Sequence, residues 1–343
     1  MRISTVGSGG DYATSQLWEA SLLATLTQDE VARIIDDLSG ATTNTKIFDI
    51  NVNTSADARI IIESWDNVAN KARVQDFKAG NGDIPVITHD KGSSWGFITR
   101  RTGCNHLIVR HLTIRSVGNG SNLILDARSS VPADNITDIH DVYLFANDPS
   151  VDMTAIDIDG GTKGKINNNI IVAGASNAIA IAGSPISVYN NTIIGTLADN
   201  NITRSGIRYG DGAVERNAVF YFGGSGGYKD YLSNAPTFND NASSDNSGNA
   251  GLQNLTLLEQ YEDPANHDCR LKEGIILKGN AVGGGDIGAI SAVEAPAIEV
   301  DFDVVNAQAS TFASVADITV DYNFDSIVAT TAAIASTTAV TQE

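Results

Sequence analysis

The chain is poor in cysteine, proline, aromatics and basic residues, and each scarcity narrows what it can be. Two cysteines in 343 residues, Cys104 and Cys269, supply neither a disulfide framework nor the paired C-x-x-C spacing of a structural metal site, so both are read as reduced thiols. Lysine and arginine total 22 against 41 aspartates and glutamates, a formal net charge of −19. Association with phosphate backbones or anionic lipid relies on cationic side chains, so nucleic acid is not an expected partner. The acidity is read as a solubility device; a bound cation such as Ca2+ is the alternative, and no other cofactor is expected. No stretch approaches the ~20 apolar residues of a membrane span, so membrane insertion is not expected. The opening MRISTVGSGGDY contains no apolar core of a secretion signal, so none is expected. An H-E-x-x-H zinc motif and a G-x-x-x-x-G-K-[ST] phosphate loop are missing, and the run Gly223–Gly227 reads as a plain loop.

What is present is glycine: 32 of them against seven prolines, with aromatics at 6%, which suggests many tight turns around small or β-branched interior residues. From Tyr12 to Leu38 the apolar residues fall mostly three and four apart, a helical spacing. Thr27 followed three positions later by Glu30 matches a capping box, so two short helices are expected here, the second starting near Thr27. They would cover the open end of a strand stack, which otherwise exposes unpaired backbone groups.

Beyond Gly40 short apolar runs alternate with Gly, Asn, Asp and Ser, and a degenerate repeat emerges. Aligned on Arg110-His111, His140-Asp141, Asn168-Asn169, Asn190-Asn191 and Arg216-Asn217, its spacings are 30, 28, 22 and 26. A second strand set, Leu123–Leu125, Ala155–Ile158, Ala178–Ile181 and Gly206–Tyr209, contributes one member per repeat, so each coil carries at least two strands. A period of this length with no helix inside it indicates a parallel β-solenoid. An antiparallel sandwich would need frequent two-residue hairpin turns, which the central third lacks. Asn168, Asn169, Asn190, Asn191 and Asn217 share one phase of the repeat, and a structural asparagine ladder is expected from them.

With these repeats the sequence resembles right-handed β-helix repeat proteins of the pectate-lyase-like superfamily, particularly those among bacteriophage structural proteins. Three stretches carry the likeness: the Gly-rich entry Val6–Thr14 with Leu17–Ala20, the rung Val188–Gly195, and the closing Tyr261–Lys272 with Asp286–Ala289. The resemblance implies an all-β fold: a right-handed parallel β-helix with an N-terminal capping helix. It says much less about activity. The expected organisation is an entry strand with capping helices over 1–40, the parallel β-helix over 41–290, and a small β-rich C-terminal module with an extended apolar arm over 291–343.

Catalysis finds little footing. The clustered aspartates and the G-H-G and R-I-K stretches of polygalacturonase-like members are missing, and the lone Asp36-Asp37 pair is read as solvated surface. Arg110, Arg115, Asp157 and Asp159 offer the residue types of a lyase but no constellation joining them. Asp126, Asp134, Asp138, Asp141, Asp148, Asp152, Asp157 and Asp159 could pair across coils at glycosidase separations, yet with 41 acidic residues chance proximity is expected. His140-Asp141 and His267-Asp268 are read as incidental, because neighbours in a strand point to opposite faces. No catalytic residue is therefore assigned.

The C-terminal segment alternates with period two. Ile298, Val300, Phe302 and Val304 form one apolar face, Ile318, Val320, Tyr322 and Phe324 another, and the tail containing Ile327 and Ile334 has no charge before Glu343. Two such strands alone are marginal in water, so these residues are expected either to close the last coil of the same chain's solenoid or to form an assembly surface against a neighbouring subunit. The reading is a non-enzymatic component of a phage-like virion, such as a capsid-decorating or tail-associated protein, assembled in a host cytoplasm with other virion proteins or copies of itself. The alternative is a carbohydrate-binding or polysaccharide-degrading tailspike-type protein meeting cell-surface glycans, with Trp65, Trp95, Tyr143, Tyr189, Tyr209, Phe220, Tyr221 and Phe222 available for stacking.

Overall fold

The computed structural model describes residues 1–40, 47–72, 86–89, 98–100, 103–116, 122–125, 136–146, 154–159, 163–173, 177–182, 185–195, 205–208, 212–222, 229–233, 235–266, 268–282 and 284–289. The chain divides into two units, Met1–Val293 and Glu294–Glu343. The second unit, with Ile298, Val300, Phe302, Val304, Ile318, Val320, Tyr322, Phe324, Ile327 and Ile334, lies outside the described residues.

The first unit is an all-β parallel solenoid built from three sheets. Successive coils add to the first sheet in the order Arg2–Val6, Glu30–Ile34, Ile60–Asp66, His106–Arg110, Ile136–His140, Lys163–Asn167, Ile186–Tyr189, Ala213–Glu215 and Thr237–Asn239. The second sheet stacks Leu38–Gly40, Val86–His89, Thr113–Ser116, Tyr143–Ala146, Ile170–Ala173, Thr192–Gly195, Ala218–Phe220 and Ala242–Ser243. The third runs from Phe48–Ile50 through Thr154–Asp159 and Ile179–Ala182 to Tyr231–Leu232. A complete coil thus has three strands, one more than the minimum of two drawn from the sequence.

Period-two alternation places one set of side chains inside. Ile62, Val109, Ile139, Ile166, Val188 and Val214 pair in register along the first sheet, each fully buried. Ile114, Leu144, Ile171, Ile193 and Val219 do the same along the second. Each such side chain contributes about 1.5–3 kcal/mol of burial, and β-branched chains suit a pleated surface. The other face of the second sheet is apolar as well: Tyr143, Ile170, Ile194, Ala218 and Phe220 form a separate cluster with Leu257, Tyr261, Cys269, Leu277 and Ile287. Tyr261 reaches Thr192, hydroxyl to hydroxyl at 3.0 Å, and the Thr192 Oγ1 accepts the Ala289 N–H at 2.9 Å, which fastens the exit segment to this face. Burial pushes the Cys269 thiol up to about 12, so it is an apolar filler here rather than a nucleophile.

The N-terminal segment corrects one expectation. Ser15–Ala20 is a helix whose N-cap Thr14 accepts the Leu17 N–H at 3.3 Å, and its Trp18 is fully buried edge-on to Phe48 at 6.0 Å between ring centroids. There is no second helix near Thr27. Glu30–Ile34 is a strand between Arg2–Val6 and Ile60–Asp66, so residues 1–40 supply the first rungs of the solenoid itself. Glu30 reaches Arg2 Nε at 2.5 Å across the coil instead of turning back to cap a helix, and Val31 and Ile34 favour the extended chain.

Candidate functional site

The residues with most chemistry lie where the first sheet turns into the second. In register along the outer side of the first sheet stand Arg33, Glu63, Arg110, His140, Asn167, Tyr189, Glu215 and Asn239. From Arg110 onward, the next residue of each coil is a left-handed corner: His111, Asp141, Asn168, Asn190, Arg216 and Asp240, with φ between 53° and 56°. The residue after that points inward: Leu112, Val142, Asn169, Asn191, Asn217 and Asn241, all buried. The corners therefore align as 111, 141, 168, 190, 216 and 240. This corrects the first two frames of the sequence alignment, which began one residue early at Arg110 and His140.

The expected asparagine row separates into two. Asn168 and Asn190 occupy corners, where asparagine tolerates the left-handed backbone. Asn169, Asn191 and Asn217 lie inside, and Asn241 extends them. Asn169 Nδ2 donates to Asn191 Oδ1 at 2.9 Å, Asn191 to Asn217 at 2.9 Å and Asn217 to Asn241 at 3.1 Å. Each Oδ1 also accepts the backbone N–H one coil earlier, from Val142, Asn169, Asn191 and Asn217 in turn. The row ends where Asn249 Oδ1 accepts the Asn241 N–H at 2.8 Å.

Two polar clusters follow on the outer side. Glu63, 2% exposed at its side chain, accepts from Arg33 Nε at 3.1 Å and from Arg110 Nε and Nη2 at 2.8 and 2.5 Å, while the Arg33 guanidinium lies 3.2 Å from the centre of the Trp65 ring. One coil on, His140 Nδ1 lies 2.6 Å from Asp141 Oδ2, and Asn168 Nδ2 donates to Asp141 Oδ1. The His140-Asp141 neighbours are thus joined, against expectation, because Asp141 is a left-handed corner and not a strand residue, so its side chain swings back to the same face. Burial opposes the Asp141 charge, but the His140 and Asn168 hydrogen bonds outweigh it and hold the carboxyl below its ordinary range. His111 packs edge-on against His140 with ring centroids 5.8 Å apart, and burial holds its imidazole below the usual value.

Asp138 accepts the Lys165 N–H at 3.1 Å on the first sheet, whereas Asp157 is half-buried on the third, so the structure does not gather them. Asp126, Asp134, Asp148, Asp152 and His267 lie outside the described residues, as do Gly223–Gly227. Among the described residues no group of three or more His, Cys, Asp or Glu is arranged to hold a metal ion. Sequence reasoning missed Glu63 and Asp230. Asp230 is buried, accepts from Phe222 N–H, Ser244 N–H and Ser244 Oγ, and is pushed up to about 7 by burial and by nearby Asp245. Toward the last coils the outer side opens into a cleft of 660 Å³ lined by Tyr189, Asn190, Glu215, Arg216, Asn239 and Asp240 among others, and Asn190 Oδ1 is buried there without a hydrogen-bond partner.

Comparison with protein-family models, curated proteins and solved structures finds no match to this chain.

Proposed function

We propose that the chain is a non-enzymatic structural component of a phage-like virion, a capsid-decorating or tail-associated protein that assembles with other virion proteins or with copies of itself. The observation that carries the reading is how its reactive side chains are engaged. Arg2 with Glu30, Asp29 with Arg59, Arg33 with Glu63 and Arg110, and the amides from Asn169 to Asn241 each tie one coil to the next. A glycosidase or lyase needs an acid or base directed at substrate, and these groups are directed at neighbouring rungs. The virion setting comes from the resemblance of the repeats, and the alternating segments around Ile298–Val304 and Ile318–Phe324 supply the assembly surface.

Light scattering on the full chain and on a variant with Ile298, Val300, Phe302 and Val304 replaced by serine tests this. The full chain is expected to self-associate or to bind a virion partner, and the variant to do neither. Equal mass and equal partner binding for both would remove the assembly role.

A second reading rests on the cleft beside Tyr189. An aromatic ring and two carboxylates around an open 660 Å³ space suit the hydroxyls of a glycan. Tyr189→Ala should then abolish retention on a glycan array while leaving the melting temperature nearly unchanged. An array with no retained sugar for the parent chain would dismiss this reading.

A further inference from the structure

The pairing of His111 with His140 has no role in the coil-stacking scheme described above. His111 ends one coil's first-sheet strand as its left-handed corner, and His140 sits on the next coil, in register with Arg110. The Nδ1 of His111 is buried without a hydrogen-bond partner, and its ring edge meets the His140 ring. The charged and titratable groups facing it are Asp141 and His140 from the following coil, Arg110 from its own and Glu63 from the one before. Both carboxylates are already engaged. The Asp141 oxygens are held by His140 and Asn168, and the Glu63 oxygens by Arg33 and Arg110. A proton on His111 would therefore place a buried cation beside the Arg110 guanidinium, in a site whose two carboxylates already serve other donors.

We propose that His111 is an acid-sensitive latch on the junction between two coils: neutral, it packs edge-on against His140; protonated, it leaves the corner and loosens the stack of His106–Arg110 on Ile136–His140. The sign follows from the folded chain disfavouring the imidazolium. Its contribution is present above the ordinary imidazole value of about 6.5 and is lost as pH falls through the lower folded value. Asp230 acts in the opposite sense, since its raised value gives stability that is complete below about 4 and is lost as pH rises through about 7. A comparison of parent and variant at each pH cancels that contribution.

The test is the melting temperature of the full chain and of His111→Asn between about pH 7.5 and about pH 5. Asparagine serves because Asn168 and Asn190 occupy the same corner two and three coils on. At the upper pH the two proteins are expected to melt within about 2 °C of each other, and on acidification the parent should fall a few degrees further than the variant. Parallel profiles would overturn the latch. Should His111→Asn fail to fold, NMR titration of the parent's imidazoles decides: a His111 midpoint below the ordinary value, with the His140 signals moving in the same step, is expected. An ordinary His111 midpoint with unmoved His140 signals overturns the proposal.

Discussion

At Asn217 a single amide joins three coils. Its Oδ1 accepts the Asn191 N–H at 3.1 Å and the Asn191 Nδ2 at 2.9 Å, while its Nδ2 reaches Val188 O, Glu215 O and Asn241 Oδ1. Asn217→Ala leaves several of these groups buried and unpartnered. At about 1–3 kcal/mol for each unsatisfied group, a loss of about 3 kcal/mol or more is expected in urea unfolding. A loss below about 1 kcal/mol would mean that the row is ornament on an apolar core. The asparagines themselves were visible in the sequence as Asn-Asn pairs. Their division into corner and interior was not, because the corner also accepts His111, Asp141, Arg216 and Asp240, and only two of the six corners carry asparagine. Asn241 escaped notice because its corner neighbour is Asp240, which breaks the Asn-Asn pattern.

Among the elements, the second-sheet strands from Thr113–Ser116 to Ala218–Phe220 and the third-sheet strands from Asn122–Leu125 to Ile207–Arg208 were legible as short apolar runs. The first-sheet strands were harder to separate. His106–Arg110 passes into Thr113–Ser116 through only His111 and Leu112, so the two strands read as one stretch, and nothing in side-chain hydropathy marks a left-handed residue inside it. The segment Glu30–Ile34 misled for a different reason. Its apolar spacing and its Thr27-Glu30 pair match a helix start, but the partner that decides Glu30 is Arg2, nearly thirty residues away, and a local pattern cannot register it. Glycine, too, has a second cause besides turns. A Cβ on Gly164 would meet the Thr137 carbonyl oxygen at 2.1 Å, so the residue is set by close approach between adjacent rungs as well as by its positive φ.

For the first unit as a whole, the repeat was legible because stacking demands a recurring inward face, and a recurring face leaves a period in the sequence. The chemistry between coils leaves none. The triad of Arg33, Glu63 and Arg110 joins residues 30 and 47 positions apart, at irregular spacing, and the acidic composition hides a buried carboxylate such as Glu63 among 41 acidic residues. Such groups tie adjacent coils to one another. A functional site is commonly held at a cost to stability, so replacing one of its residues often raises stability, whereas removing one partner of a buried ion pair lowers it. Glu63→Gln separates the two cases directly, since it would leave Arg33 and Arg110 facing each other with no carboxylate between them. Measured by denaturant unfolding of the full chain, the expected result is a loss of about 3 kcal/mol or more. Unchanged or increased stability would contradict the account and mark the cluster as a site maintained for a ligand.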